Sequence, residues 1–163
     1  MAKSVEHSRD YPVSVDVLLR AVTDPEYQVL REKSHGALKA SVKEIERSDA
    51  RLVYEVHVTN YARGMTGIDR SKTEDSHATY TWDLKARRGD WTYTTVHGNR
   101  IKIWGTLRIS ESRGGARLSN ELNAEVKIPL MGKRIEKMII KGVNDNQPTF
   151  NKTLEDFIAQ LDK

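Results

Sequence analysis

Five histidines, His7, His35, His57, His77 and His97, are the side chains of this 163-residue sequence best suited to proton transfer or metal ligation. They are scattered. No pair stands four residues apart around a glutamate, the helical spacing that holds a hydrolytic zinc ion. His57 shares the polar parity of its segment with Glu55, which directs it to water. The sequence has no cysteine, which excludes a disulfide scaffold, a cysteine-ligated zinc, an iron–sulfur cluster and a thiol nucleophile. Serines and threonines are plentiful, but no Gly-x-Ser-x-Gly turn presents one as a nucleophile. Glycine spacing matches neither a dinucleotide fingerprint nor a phosphate loop, and Gly64-Met65-Thr66-Gly67 reads only as a glycine-punctuated loop. No catalytic residue, no metal site and no cofactor are expected.

The informative polar residue is Asn120. It has the parity of Leu118, Leu122, Ala124 and Val126, so strict alternation places its amide on an apolar face. An unpartnered buried amide costs about 1–3 kcal/mol, so Asn120 needs a partner: a guest, a water, or a tyrosine such as Tyr54. Tyr54, Tyr80, Trp82, Trp91 and Tyr93 have apolar parity too, and either line a pocket or fill a core. Trp104 stands with Arg100, Lys102 and Arg108 on the charged parity. It either stacks under an arginine or marks a contact between two copies.

The elements that must position these residues are legible in the periodicity. Lys3 to Tyr11 reads as a first strand. Ser14 is a candidate N-cap for a helix carrying Val15, Leu18, Leu19 and Val22, and Asp24-Pro25 ends it and opens a second helix that stops at Gly36. From Ala37 to Ile128 the period is two, with a bulge expected near Glu44, a loop over 61–69 and turns at Ser48–Arg51, Lys85–Asp90 and Ser112–Gly115. After Pro129 an apolar stripe of period 3.6 runs from Ile135 through Phe150 to Leu161. Pro148 predicts a kink or break near residues 144–147, with Asn146 and Gln147 turned either toward a cavity or to solvent.

Six to seven antiparallel strands with one buried face curl into a cup, and one long C-terminal helix must cover it. Small inward residues such as Ala40, Gly105 and Ala124 predict unfilled space beneath that helix, which is where ligands enter concave apolar sites. The expected fold class is α+β, one domain over residues 1–163.

This order of elements resembles the helix-grip fold of the START-like (SRPBCC) superfamily. A narrower likeness lies in Tyr11-Pro12-Val13-Ser14 with Thr23-Asp24-Pro25, in the Thr81-Trp82-Asp83 to Trp91-Thr92 hairpin, and in Ile128-Pro129-Leu130-Met131-Gly132-Lys133-Arg134-Ile135-Glu136. Together these segments are similar to the bacterial domain of unknown function 2505 family. That family carries no established catalytic residues, and the wider superfamily implies binding of apolar small molecules, with activity in only some branches.

The expectation is a binder or carrier of a hydrophobic or amphipathic, lipid-like or polyketide-like molecule, held between the sheet and the last helix. Its lining would come from Tyr54, Val56, Tyr80, Trp82, Trp91, Tyr93, Ile103, Gly105, Asn120, Leu122, Met138, Val143, Gln147 and Phe150. The two short helices and the 61–69 loop would frame the entrance. A cyclase- or aromatase-like enzyme and a protein-interaction module with a filled core are the rival readings.

Twenty-seven basic against twenty-three acidic residues, net +4, is too dilute a charge for a dedicated nucleic-acid binder. No apolar segment approaches the ~20 residues of a membrane span, and the N-terminus shows no secretion signal. A cytoplasmic protein, monomeric or weakly dimeric, is the expectation.

Overall fold

The structure, a computed structural model, describes residues 2–64 and 67–161. Its elements are β1 (Lys3–Tyr11), α1 (Val15–Val22), α2 (Pro25–Ser34), β2 (Lys39–Arg47), β3 (Arg51–Gly64), β4 (Gly67–Asp83), β5 (Arg88–Thr94), β6 (Ile101–Ser112), β7 (Gly115–Val126) and α3 (Gly132–Leu161). The seven strands form one antiparallel sheet in the order β1-β7-β6-β5-β4-β3-β2, open between β1 and β2.

The local signals act where the residue types place them. The Ser14 hydroxyl accepts from the Val17 amide and the Asp24 carboxylate from the Glu26 amide, so each helix has one of its first free N–H groups satisfied. Pro25 sits in the first turn of α2, where its missing N–H costs nothing. The register shifts between Glu44 and Glu46, which is the bulge the broken alternation at Ile45 predicts. Gly114, at φ +87°, makes the turn into β7.

Two expectations are corrected. The 61–69 segment is not a loop, because β3 and β4 stay paired through Gly64 and Gly67, with a register shift after Tyr61. Gly64 and Gly67 are the last paired residues described there, and Met65 and Thr66 lie outside the described residues. Nor is α3 broken at Pro148. It runs 30 residues, about 45 Å at 1.5 Å per residue, with the proline inside it. The helix persists because its stripe packs on both sides of Pro148, and Pro148 merely offers no amide to the Asn144 carbonyl.

Helix α3 crosses the concave face, touching β1 and β7 on one side and α1 and α2 on the other. Its first turn is clamped to the sheet by Glu136, a buried carboxylate that accepts the Val126 amide at 2.8 Å. Near its other end Leu154, Phe157 and Ile158 are buried, with the Phe157 ring 5.7 Å from Tyr27 of α2. On the edge strand β1, inward-facing His7 and Arg9 reach the same helix, through Asn144 at 2.9 Å and Glu155 at 2.8 Å. Trp104 is half-buried on the outer face. Among the described residues no arginine lies over its ring, so of the two alternatives for Trp104 the stacking is not formed.

Candidate functional site

Strand register sorts the inner face into rows running across the sheet. One row is Val42, Val56, Ala78, Tyr93, Ile103 and Ala124. The next is Tyr54, Tyr80, Trp91, Gly105 and Leu122, and the third is Leu52, Trp82, Gly89, Leu107 and Asn120. Parity thus brings most of the predicted lining residues together. How much room they leave depends on their sizes.

The second and third rows are filled. A Cβ at Gly105 would lie 2.6 Å from the Trp91 indole, and one at Gly89 would lie 2.7 Å from that of Trp82. The small residues are seats for rings, and this corrects the expectation that Gly105 opens a hollow. Ala124, likewise expected to leave space, is fully buried. Tyr54 stacks on Tyr80 at 5.0 Å between centroids, and Tyr80 leans on Trp91 at 6.4 Å. Tyr54, Val56, Tyr80, Trp82, Trp91 and Leu122 are all buried in this core.

The core's polar groups are mostly paired with one another, though the Gln28 Oε1 has no partner among the described residues. The Tyr54 hydroxyl accepts from the Trp82 indole N–H and from the Gln28 amide, each at 3.3 Å. Asn120 accepts from the Trp91 indole N–H at 3.2 Å, so its partner is an indole rather than Tyr54. Burial pushes the phenols of Tyr54, Tyr80 and Tyr93 up. They remain protonated at neutral pH; among the described residues the Tyr54 and Tyr93 hydroxyls are hydrogen-bonded and the Tyr80 hydroxyl is not.

Beside Asn120 a small recess of about 90 Å³ lies between β1, β7 and α3, lined by His7, Tyr11, Asn120, Gln147 and Asn151 among others. At about 30 Å³ per water it has room for roughly three waters, well short of a drug-sized guest. Gln147 donates to Asn151 at 2.9 Å there, while Asn146 faces solvent. A larger groove of about 490 Å³ lies along the start of β1 and the outer side of α3. It is lined by Lys3, Ser4, Lys137, Ile140, Lys141, Asn144 and Asp145 and is open to solvent.

The first row is buried at Val56, Ala78 and Ala124 but not at its β5 and β6 members, which mark the open end of the cup. Tyr93 and Ile103 are half-buried there, as are Val143 and Phe150 of α3. The Tyr93 hydroxyl bonds Ser76 at 2.7 Å. Met138, expected in the lining, is 48% exposed and turned away from it.

One contributor to this end was not singled out from the sequence. On α2, Tyr27, Gln28, Arg31 and His35 fall on one helical face, and Tyr27 and Gln28 are buried by it. That face aims Arg31 into the cup. Its guanidinium lies 4.0 Å from the centroid of the Phe150 ring and pairs with Glu32 at 2.9 Å. The His35 ring meets the same phenylalanine edge-on, with centroids 3.7 Å apart. Burial, and then the charges of Arg31 and Arg63, push the His35 imidazole down to about 4. The signal available in the sequence was the i, i+4, i+8 spacing of Tyr27, Arg31 and His35.

The family described as "Protein of unknown function (DUF2505)" matches residues 6–158. No curated protein matches. Among solved structures, TTHA0849 from Thermus thermophilus superposes with a TM-score of 0.67 at 19% identity, over 99% of this chain and 100% of its own. The Zhui aromatase/cyclase from Streptomyces sp. R1128 gives 0.63 at 12% identity, over 99% and 96%. Norcoclaurine synthase from Thalictrum flavum gives 0.58 at 11%, over 99% and 86%. At these identities the likeness shows the fold, which is the helix-grip fold. Among the described residues no helix is long and apolar enough to cross a membrane.

Proposed function

The chain belongs to the DUF2505 family of proteins of unknown function, and from that premise and its helix-grip fold we propose that it binds a hydrophobic or amphipathic small molecule at the open end of the cup. The observation that carries this reading is a contrast between residues of one inner face. Trp82 and Trp91 fill the inner rows against glycines, whereas Tyr93, Ile103, Val143 and Phe150 stay half-buried around apolar surface. Surface of that kind gains roughly 25 cal/mol for each Å² a guest covers, before ordering costs. The structural neighbours named as an aromatase/cyclase and a synthase support a guest-binding use of the fold.

A guest here rests against the aromatic wall instead of entering it, with Phe150 on one side and Tyr93 on the other. The core expected to hold the guest becomes the rigid floor of the site. The domain reads as one unit, residues 1–163, because a single sheet and a single crossing helix build both floor and roof.

Native mass spectrometry of protein purified from its own host tests the reading. The expected result is a discrete added mass that disappears in Ile103→Glu, which puts a charge on the apolar floor. A bare protein mass across independent preparations, with no change in the Ile103 methyl resonance when decanol is titrated in, would overturn it.

A further inference from the structure

Among the described residues, Arg31 is the cation that α2 aims into the cup, and its surroundings define what it can take. The side chain is only 23% exposed, and its neighbour Glu32 19%. A guanidinium carries five N–H donors in one plane. Among the described residues, side-chain bonds account for a single one, from Nη1 to Glu32. Phe150 covers one face of the plane, so what remains is an edge of donors at the apolar open end. Close by stands the Tyr80 phenol, near enough to feel the Arg31 charge, and it makes no hydrogen bond among the described residues. The free donors sit at the edge of an apolar site where water reaches them, so a ligand acceptor can replace that water, and a planar edge of guanidinium N–H groups matches a carboxylate.

Glu32 limits the charge of that acceptor. Its carboxylate already neutralises part of the guanidinium, so a dianion such as a phosphate monoester would meet its repulsion at close range, whereas a monoanion meets far less. We propose that Arg31 anchors the carboxylate of an apolar monocarboxylic acid, whose hydrocarbon part lies along Phe150, Tyr93 and Ile103; this rests on the open-end reading above. The acid is held by charge-assisted hydrogen bonds at α2 and by burial along α3, with the Tyr80 hydroxyl available as a further donor.

The test is calorimetric titration of the intact protein with decanoate and with decanol, at neutral pH and below micelle-forming concentration. The expected result is about tenfold tighter binding of decanoate, in keeping with a charge-assisted hydrogen bond. Arg31→Gln removes that preference. Glu32→Gln strengthens decanoate binding several-fold, because the competing carboxylate is gone. Arg31→Lys, with charge but no planar edge, keeps only part of the preference. Equal affinity for acid and alcohol in the native protein, or a preference that survives Arg31→Gln, overturns the proposal while leaving the open-end site standing. If Arg31→Gln fails to fold, unchanged decanoate affinity in Glu32→Gln overturns it instead. Binding of neither probe overturns the site and the anchor together.

Discussion

The indole N–H of Trp91, on β5, donates to the side-chain oxygen of Asn120, on β7, at 3.2 Å, although β6 runs between them. The reach is possible because the β6 residue paired with Trp91 is Gly105, and the ring crosses the sheet where a side chain would otherwise stand. One residue without a Cβ thus couples three strands.

Gly105→Ala is expected to destabilise the fold by about 2–3 kcal/mol, as overpacking in a rigid core does. The added methyl meets the Trp91 ring on one side and the Glu121 backbone carbonyl on the other, and backbone yields least. Urea denaturation should show a lower midpoint at an unchanged slope. Asn120→Ala, which strands only the indole N–H, should cost about 1–2 kcal/mol.

Two stacked tyrosines should respond differently to loss of their hydroxyls. Tyr54→Phe leaves the buried Trp82 indole N–H without its acceptor and leaves the Gln28 amide only the Val22 carbonyl, a loss of about 1–3 kcal/mol. Tyr80→Phe removes a hydroxyl that bonds nothing among the described residues, so stability should change by less than about 0.5 kcal/mol. Paired denaturation curves compare the two, and equal losses would contradict the bonding pattern.

Glu136 should matter through one acceptor oxygen. Glu136→Ala releases the Val126 amide and unpins the first turn of α3, an expected loss of about 2–3 kcal/mol. Glu136→Gln keeps a carbonyl oxygen at that place and should lose less. Hydrogen exchange at the Val126 amide reads the clamp directly, with fast exchange expected in the alanine variant alone.

The His35 imidazole sets a pH dependence. In the unfolded chain it takes up a proton near its ordinary value of 6.5, but in the folded protein only near 4, because burial and the charges of Arg31 and Arg63 oppose its charging. Between those values the unfolded chain holds more protons, so stability falls as pH is lowered from about 6.5 to about 4. Denaturation at pH 7.5 and 4.5 should show a drop that is smaller in His35→Gln. An equal drop in both proteins would assign the effect to other groups.

The sequence by itself determined the order of elements, because strand and helix periods are local properties of a few consecutive side chains. Alternation from Leu118 to Val126 put Asn120 on the inner face, and the stripe through Ile135, Leu154 and Phe157 announced α3. Even the bulge at Ile45 is visible as a broken parity. Tertiary structure decided everything that depends on volume and on distance across strands. Parity places Trp91 and Gly105 on one face, but only strand register sets the ring against the glycine, turning an expected hollow into a filled wall. Likewise, Arg31 is one polar residue in a short, mostly polar helix until α2 docks and turns it onto Phe150. Side-chain direction is written into neighbouring residues, whereas filled and empty space is settled between residues far apart in the chain, where close packing leaves no margin for an average guess.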